Sequence, residues 1–332
     1  MNAPPTFESF ILYEGDKKMK PGSFSAMTDS TPPAIQLIIN ADDFGHCSGR
    51  NRGIIECYRA GLISSATLMV NAREVEAAVS HAKEYNIPLG LHLNLTEGHV
   101  TNRGRCCSLV ASTSGVLRGK FGFRKALASG SIKGDELREE IRAQFHRFQE
   151  LTGHSPTHVD GHQHVHVLPG VREILANTAK EYGILAVRIP IQHGLEECHW
   201  LPSASLEFFR DVIQESAIAK DLFLKTGLRT TEGFFGLSTM GSNMTLPTLK
   251  SALDTALRHS PTKSSRADPA SPLTYELMVH PGYPCQSGCG VEGEDFYCFE
   301  DRAHEMRLLA EGEWKKTMSE AGVKLCSFQS II

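Results

Sequence analysis

The sequence predicts an α/β fold in which roughly seven or eight mostly parallel strands curl into a (β/α) barrel, complete or incomplete. Three observations lead there. Short β-branched or apolar runs alternate with amphipathic helical stretches, the pattern of parallel strands joined by helices. Acidic and histidine residues gather where those runs end, and barrels build their sites at the carboxyl ends of strands. The length of 332 residues is within reach of one barrel domain with one core.

Residues 1–33 mix Pro, Ser, Thr, Lys and Gly without periodicity and read as a poorly ordered leader, so the folded domain is expected over 34–332. Ile35–Ile39 is a buried strand that ends in Asn40-Ala41-Asp42-Asp43. A helix over Gly53–Ala60 closes at Gly61 and a second strand follows at Ser65–Val70. Val75, Ala78, Val79 and Ala82 give Glu74–Tyr85 a helical face, and Pro88–Leu95 is a strand with His92 and Asn94 on one side. Residues 96–130 are rich in Gly, Ser, Arg and Lys and form a long excursion over one end of the sheet.

The second half keeps the rhythm with less regularity. Asp135–Leu151 is an amphipathic helix with acids in its first turns, where they complement the helix dipole. His158-Val159-Asp160 starts a strand, followed by helix Val171–Tyr182, strand Ala186–Pro190, helix Leu206–Lys220 and a strand near Gly233–Leu237. Ser260–Pro272 is a surface loop. Strand Leu273–Val279 ends at His280-Pro281-Gly282-Tyr283, and helix Arg302–Ala321 with strand Lys324–Phe328 completes the series.

Composition narrows the function classes. A net charge of −4 shows no basic footprint for nucleic acid. The apolar runs are far shorter than the about 20 residues a membrane span needs, and no secretory signal pattern opens the chain. Nine scattered cysteines, an odd number, suit a reducing cytoplasm. Cys285, Cys289 and Cys298 match structural zinc spacing poorly.

The chemistry collects at Asp42-Asp43, His92, Asp160-Gly161-His162-Gln163-His164-Val165-His166 and His280, each at or near the end of a different strand. A lone histidine at such a place is usually a satisfied core residue; several at equivalent places point to a divalent metal bound by oxygen and imidazole. Adjacent side chains of an extended strand face opposite ways, so Asp42 and Asp43 serve one site only if the strand turns there. One would ligate the metal and the other take a proton from bound water. At most two of His162, His164 and His166 are ligands, and Asp160 could orient a neighbouring imidazole.

At these four motifs, Asn40-Ala41-Asp42-Asp43-Phe44-Gly45, Gly90-Leu91-His92, Thr157–His166 and His280-Pro281-Gly282-Tyr283, the chain resembles the YdjC-like carbohydrate deacetylases, including chito-oligosaccharide deacetylases. The resemblance covers about residues 35–330. It implies that Asp42 is the proton acceptor, that Asp43, His92 and His162 hold a divalent cation, Mg2+ before Zn2+, and that a metal-activated water removes acetyl groups from N-acetylated sugars or oligosaccharides. His280 is the candidate acid by position, with His164 or His166 behind it. Phe121, Phe123 and Trp200, with the cations of the 96–130 excursion, could line a sugar groove, although packing and solvation are the better explanation of them. The competing readings are a metal-dependent phosphoesterase and a catalytically silent barrel that binds a glycan or protein; a monomer and a homodimer are both left open.

Overall fold

The computed structural model describes residues 35–102, 104, 106–111, 115–260, 271–284 and 300–332. The leader, most of the Ser260–Pro272 loop and the Cys285, Cys289 and Cys298 group lie outside the described residues. The expected architecture is present: seven parallel strands curl into an incompletely closed barrel with helices around it. Strands β1 (Ile35–Phe44), β2 (Ser65–Leu68), β3 (Leu89–Leu93) and β4 (Val159–Gly161) pair in sequence order. On the other side of β1 lie β6 (Leu273–Val279) and then β5 (Gly233–Phe235), while β7 (Val323–Leu325) pairs with the first residues of β1.

Alternation along β1 divides the interior in two. Leu37, Ile39 and Ala41 belong to the main apolar core. Ile38 joins Ala186 and Phe328 in a small apolar cluster of its own. Beyond it Asn40 and Asp42 take part in a wholly buried polar network, which includes Thr67, Asp160, Arg188 and Glu276. His158 stacks on Phe328 at 3.5 Å between centroids, and a Cβ at Gly90 would stand 2.4 Å from the His158 ring. Glycine is needed there so that β3 can lie against the imidazole.

Helices α2 (Val75–Tyr85), α4 (Gly134–Thr152) and α5 (Val171–Glu181) follow the sequence pattern closely, whereas α1 (Ser48–Arg59) starts earlier than the expected Gly53 and α6 (Ser203–Lys225) extends past both expected ends. Four further regions differ from expectation. The 96–130 excursion contains α3 (Gly119–Ala128). A further helix, α7 (Leu246–Arg258), starts at a capping Thr245 whose hydroxyl accepts from Thr248 N, and buries Leu249 and Leu253. The expected C-terminal helix is two, α8 (Asp301–Ala310) and α9 (Gly312–Glu320), because Glu311 takes an extended ψ of 130° before Gly312. Ala186–Pro190 makes only single bridges, Ala186 to Arg229 and Val187 to Val159; Pro190 has no N–H to extend a ladder.

Candidate active site

Strand register brings the chemistry together. Ala41 pairs with Val279, so Asp42 on β1 and His280, the first residue past β6, come next on each side. His92 and Asp160 are direct partners on β3 and β4. The register of β1 against β2 breaks between Ala41 and Phe44, and Asp43 sits there with φ 65°. This irregularity is the turn that two neighbouring acids need to reach one site, at a backbone cost of about 1–2 kcal/mol.

Asp43 Oδ1 lies 3.2 Å from His92 Nε2 and 3.0 Å from His162 Nδ1, all three side chains buried. Each imidazole has its other nitrogen on a second buried acid. His92 Nδ1 is 2.7 Å from Asp160 Oδ1, and His162 Nε2 is 3.0 Å from Glu97 Oε1. Burial works against charge here, yet Asp160 raises the His92 imidazole to about 9, and Glu97 with Asp43 holds His162 well above its ordinary value. Burial also opposes the charged form of Asp43, but His162 and His92 hold its carboxyl well below the usual range. A site that draws protons onto two imidazoles is one where a cation is favoured.

The donor set fits a divalent ion. Ligand atoms of Asp43, His92 and His162 lie within 4.8 Å of one another, and ligands around a tetrahedral ion with bonds of about 2.0–2.1 Å stand about 3.3 Å apart. Asp42, His92 and Asp160 also converge, but Arg188 Nη1 already lies 2.6 Å from Asp42 Oδ2 and 2.8 Å from Asp160 Oδ2. A cation there would face a guanidinium, so the first group is the better one.

Asp42 points into the same cavity. Arg188 donates to both of its oxygens, at 2.6 and 2.7 Å, and Asn40 Nδ2 donates to Oδ1 at 2.9 Å. The Arg188 Nε donates to Glu276 at 2.7 Å, and burial raises the Glu276 carboxyl to about 7. His280 Nε2 stands 4.0 Å from Asp42 Oδ2. Its backbone N donates to Glu305 and its carbonyl accepts from Arg50, so the loop after β6 is fixed at both peptide groups. Burial, with Arg302 nearby, pushes the His280 imidazole down to about 3.

The three histidines after Gly161 are spread by a turn, not aligned on a strand. Gln163 and His164 adopt φ of 52° and 60°. His162 therefore meets Asp43, His164 lines the cavity, and His166 Nε2 lies 3.1 Å from the Arg188 carbonyl.

The cavity holds about 600 Å3 and is lined by Asp42, Asp43, His92, His162 and His280. Phe121, Phe208, Phe209, Met240 and Met278 give the same cavity an apolar lining. Phe121 is 71% exposed at the mouth, whereas Phe123 is buried in the main core and Trp200 is spent on Ser238, whose carbonyl accepts from Nε1 at 2.8 Å. Lys120 Nζ lies 3.5 Å from the centre of the Phe208 ring. Glu97 and Arg188 escaped sequence reasoning. Arg188 had a signal, a single charge inside the apolar run 186–189; Glu97, in an irregular loop, had none.

Residues 36–320 match the family described as YdjC-like protein. A carbohydrate deacetylase of Danio rerio is 42% identical over 308 residues, covering 90% of this chain and 98% of its own. The Homo sapiens carbohydrate deacetylase is 39% identical, with 90% and 92% covered. A chitooligosaccharide deacetylase of Yersinia pestis is 29% identical, with 88% and 97% covered. Among solved structures, a suggested cellobiose-phosphate cleavage protein of Enterococcus faecalis superposes with a TM-score of 0.63 at 22% identity, over 89% of this chain and 98% of that one, a likeness of fold. With four separated motifs converging on one cavity and the family match spanning nearly the whole described chain, the protein belongs to the YdjC-like family.

Proposed function

We propose that this protein is a carbohydrate deacetylase that hydrolyses the N-acetyl group of an amino sugar, using a divalent cation held by Asp43, His92 and His162. The observation that carries the reading is the placement of Asp43 Oδ1 within 3.2 Å of one nitrogen of each imidazole, with Asp42 and His280 lining the same cavity. The deacetylase names of the relatives at 39–42% identity support the reaction class. A bound cation would polarise the amide carbonyl and lower the pKa of the attacking water.

The chain's own groups supply the proton path. Asp42, oriented by Arg188, accepts a proton from water as its oxygen bonds to the carbonyl carbon. His280 rests neutral, so it acts as the acid by relay: Nε2 stands 4.0 Å from Asp42 Oδ2, and the proton would pass between them through one bridging water or hydroxyl before it is delivered to the sugar nitrogen as the C–N bond breaks. The products are acetate and a free amine. Phe121 offers an exposed aromatic face to a sugar ring at the mouth. The six free thiols among the described residues fit a reducing cytosol for this activity. The test is chelation: removing divalent ions abolishes acetate release from N,N′-diacetylchitobiose, and adding Mg2+ or Zn2+ restores it. Undiminished release after complete removal contradicts the metal assignment.

A further inference from the structure

We infer that Glu97 fixes the tautomer of His162, so that the metal centre proposed above is held through unlike nitrogens, Nε2 of His92 and Nδ1 of His162. The inference rests on the metal reading and adds to it a positioning residue and a specific ligand atom.

The two imidazoles are turned in opposite senses. His92 gives Nδ1 to Asp160 at 2.7 Å and presents Nε2 to Asp43. His162 gives Nε2 to Glu97 at 3.0 Å and presents Nδ1 to Asp43. A carboxylate beside one ring nitrogen keeps the proton there and leaves the lone pair on the other. Glu97 is itself held firmly. It is 4% exposed, its N–H donates to Asn94 Oδ1 at 3.1 Å, and its carbonyl accepts from Asn94 Nδ2 at 2.8 Å.

Binding through Nδ1 also has a backbone consequence. Nδ1 is closer to the main chain than Nε2, so the chain at His162 must run near the ion and then turn away sharply. Gln163 and His164 make that turn with two consecutive left-handed residues, neither of them glycine, at about 1–2 kcal/mol each. The same Glu97 Oε1 accepts from Gln163 Nε2 at 2.6 Å, and Arg124 Nη2 donates to the Gln163 carbonyl at 3.2 Å. One carboxylate oxygen thus orients the ligand and tethers the strained residue after it.

The test uses the full chain with 15N-labelled histidine and Zn2+ as the probe ion. Two-bond 1H–15N correlation spectra should show His162 protonated at Nε2 and metal-shifted at Nδ1, with His92 the reverse. In parallel, Glu97→Gln should weaken Co2+ binding about 10–100-fold, read by competition with a chromogenic chelator. His162 found with its proton on Nδ1, or Co2+ affinity of a folded Glu97→Gln within twofold of wild type, overturns the inference while leaving the metal reading intact. Should Glu97→Gln not fold, the wild-type tautomer decides alone. If the wild type binds neither ion, the metal reading falls and this inference with it.

Discussion

Arg188 grips both carboxylate oxygens of Asp42, Nη1 to Oδ2 at 2.6 Å and Nη2 to Oδ1 at 2.7 Å, from a side chain with no exposed surface. Two parallel charge-assisted bonds fix the plane of the carboxylate as well as its position. The same guanidinium meets Asp160 and Glu276, so one cation offsets three buried acids.

Lysine cannot reproduce that fork. Arg188→Lys is expected to keep metal content but to lower kcat by about 100-fold, the scale of a misplaced reacting group. Arg188→Met, which takes the guanidinium away from three buried acids, should cost about 3–5 kcal/mol of stability. Steady-state kinetics, metal analysis and chemical denaturation check each part; unchanged kcat in Arg188→Lys contradicts the positioning role.

The donor set speaks to the choice of ion. Two imidazoles and one carboxylate suit Zn2+ or Co2+ better than Mg2+, which prefers oxygen ligands and gives up water reluctantly. Metal-free protein should bind Zn2+ and Co2+ at least about 100-fold more tightly than Mg2+. Calorimetric titration with each ion decides it, and equal affinities would contradict the assigned ligands.

Buried histidines set the acid limb of stability. Burial pushes His158 down to about 3, His166 to about 4 and His280 to about 3. Their folded values lie below the unfolded value of about 6.5, so the unfolded chain takes up protons first. Their contribution is complete above pH 6.5 and is lost as pH falls toward 4, by up to about 1.4 kcal/mol per pH unit for each histidine. Urea midpoints at pH 6.5, 5.5 and 4.5 should fall in that order, a range in which His92 and His162, whose folded values are raised, are already protonated and largely cease to offset the loss; a flat series would show that these imidazoles accept protons in the folded state.

Phe121 is exposed, so truncation should leave stability within about 0.5 kcal/mol. Phe121→Ala is expected to raise KM for a chito-oligosaccharide several-fold while changing kcat little. An unaltered KM across mono-, di- and trisaccharides would remove Phe121 from the sugar path.

Much of this site could be read from the chain because strand ends carry it. Short apolar runs announce β1, β3 and β6, and parallel register then makes neighbours of Asp42 and His280, and of His92 and Asp160. The acids and cations that orient those groups were harder to see. Glu97 lies in a loop with no periodicity, and Arg188 interrupts an apolar run whose bridges are too few for a regular strand. Whether the histidines after Gly161 would align or spread depended on two left-handed residues, Gln163 and His164, whose side chains do not announce that conformation. α3 hides in the Gly- and Arg-rich excursion, where its glycines obscure the helical face.

The most direct test of the account is acetate release by metal-loaded protein from a panel of N-acetylated sugars and oligosaccharides, run beside Asp42→Asn and His92→Ala. The account predicts release by the wild type, loss of turnover with metal retained in Asp42→Asn, and loss of both in His92→Ala. Full turnover by Asp42→Asn, or no release from any sugar by fully metal-loaded wild type, would contradict it.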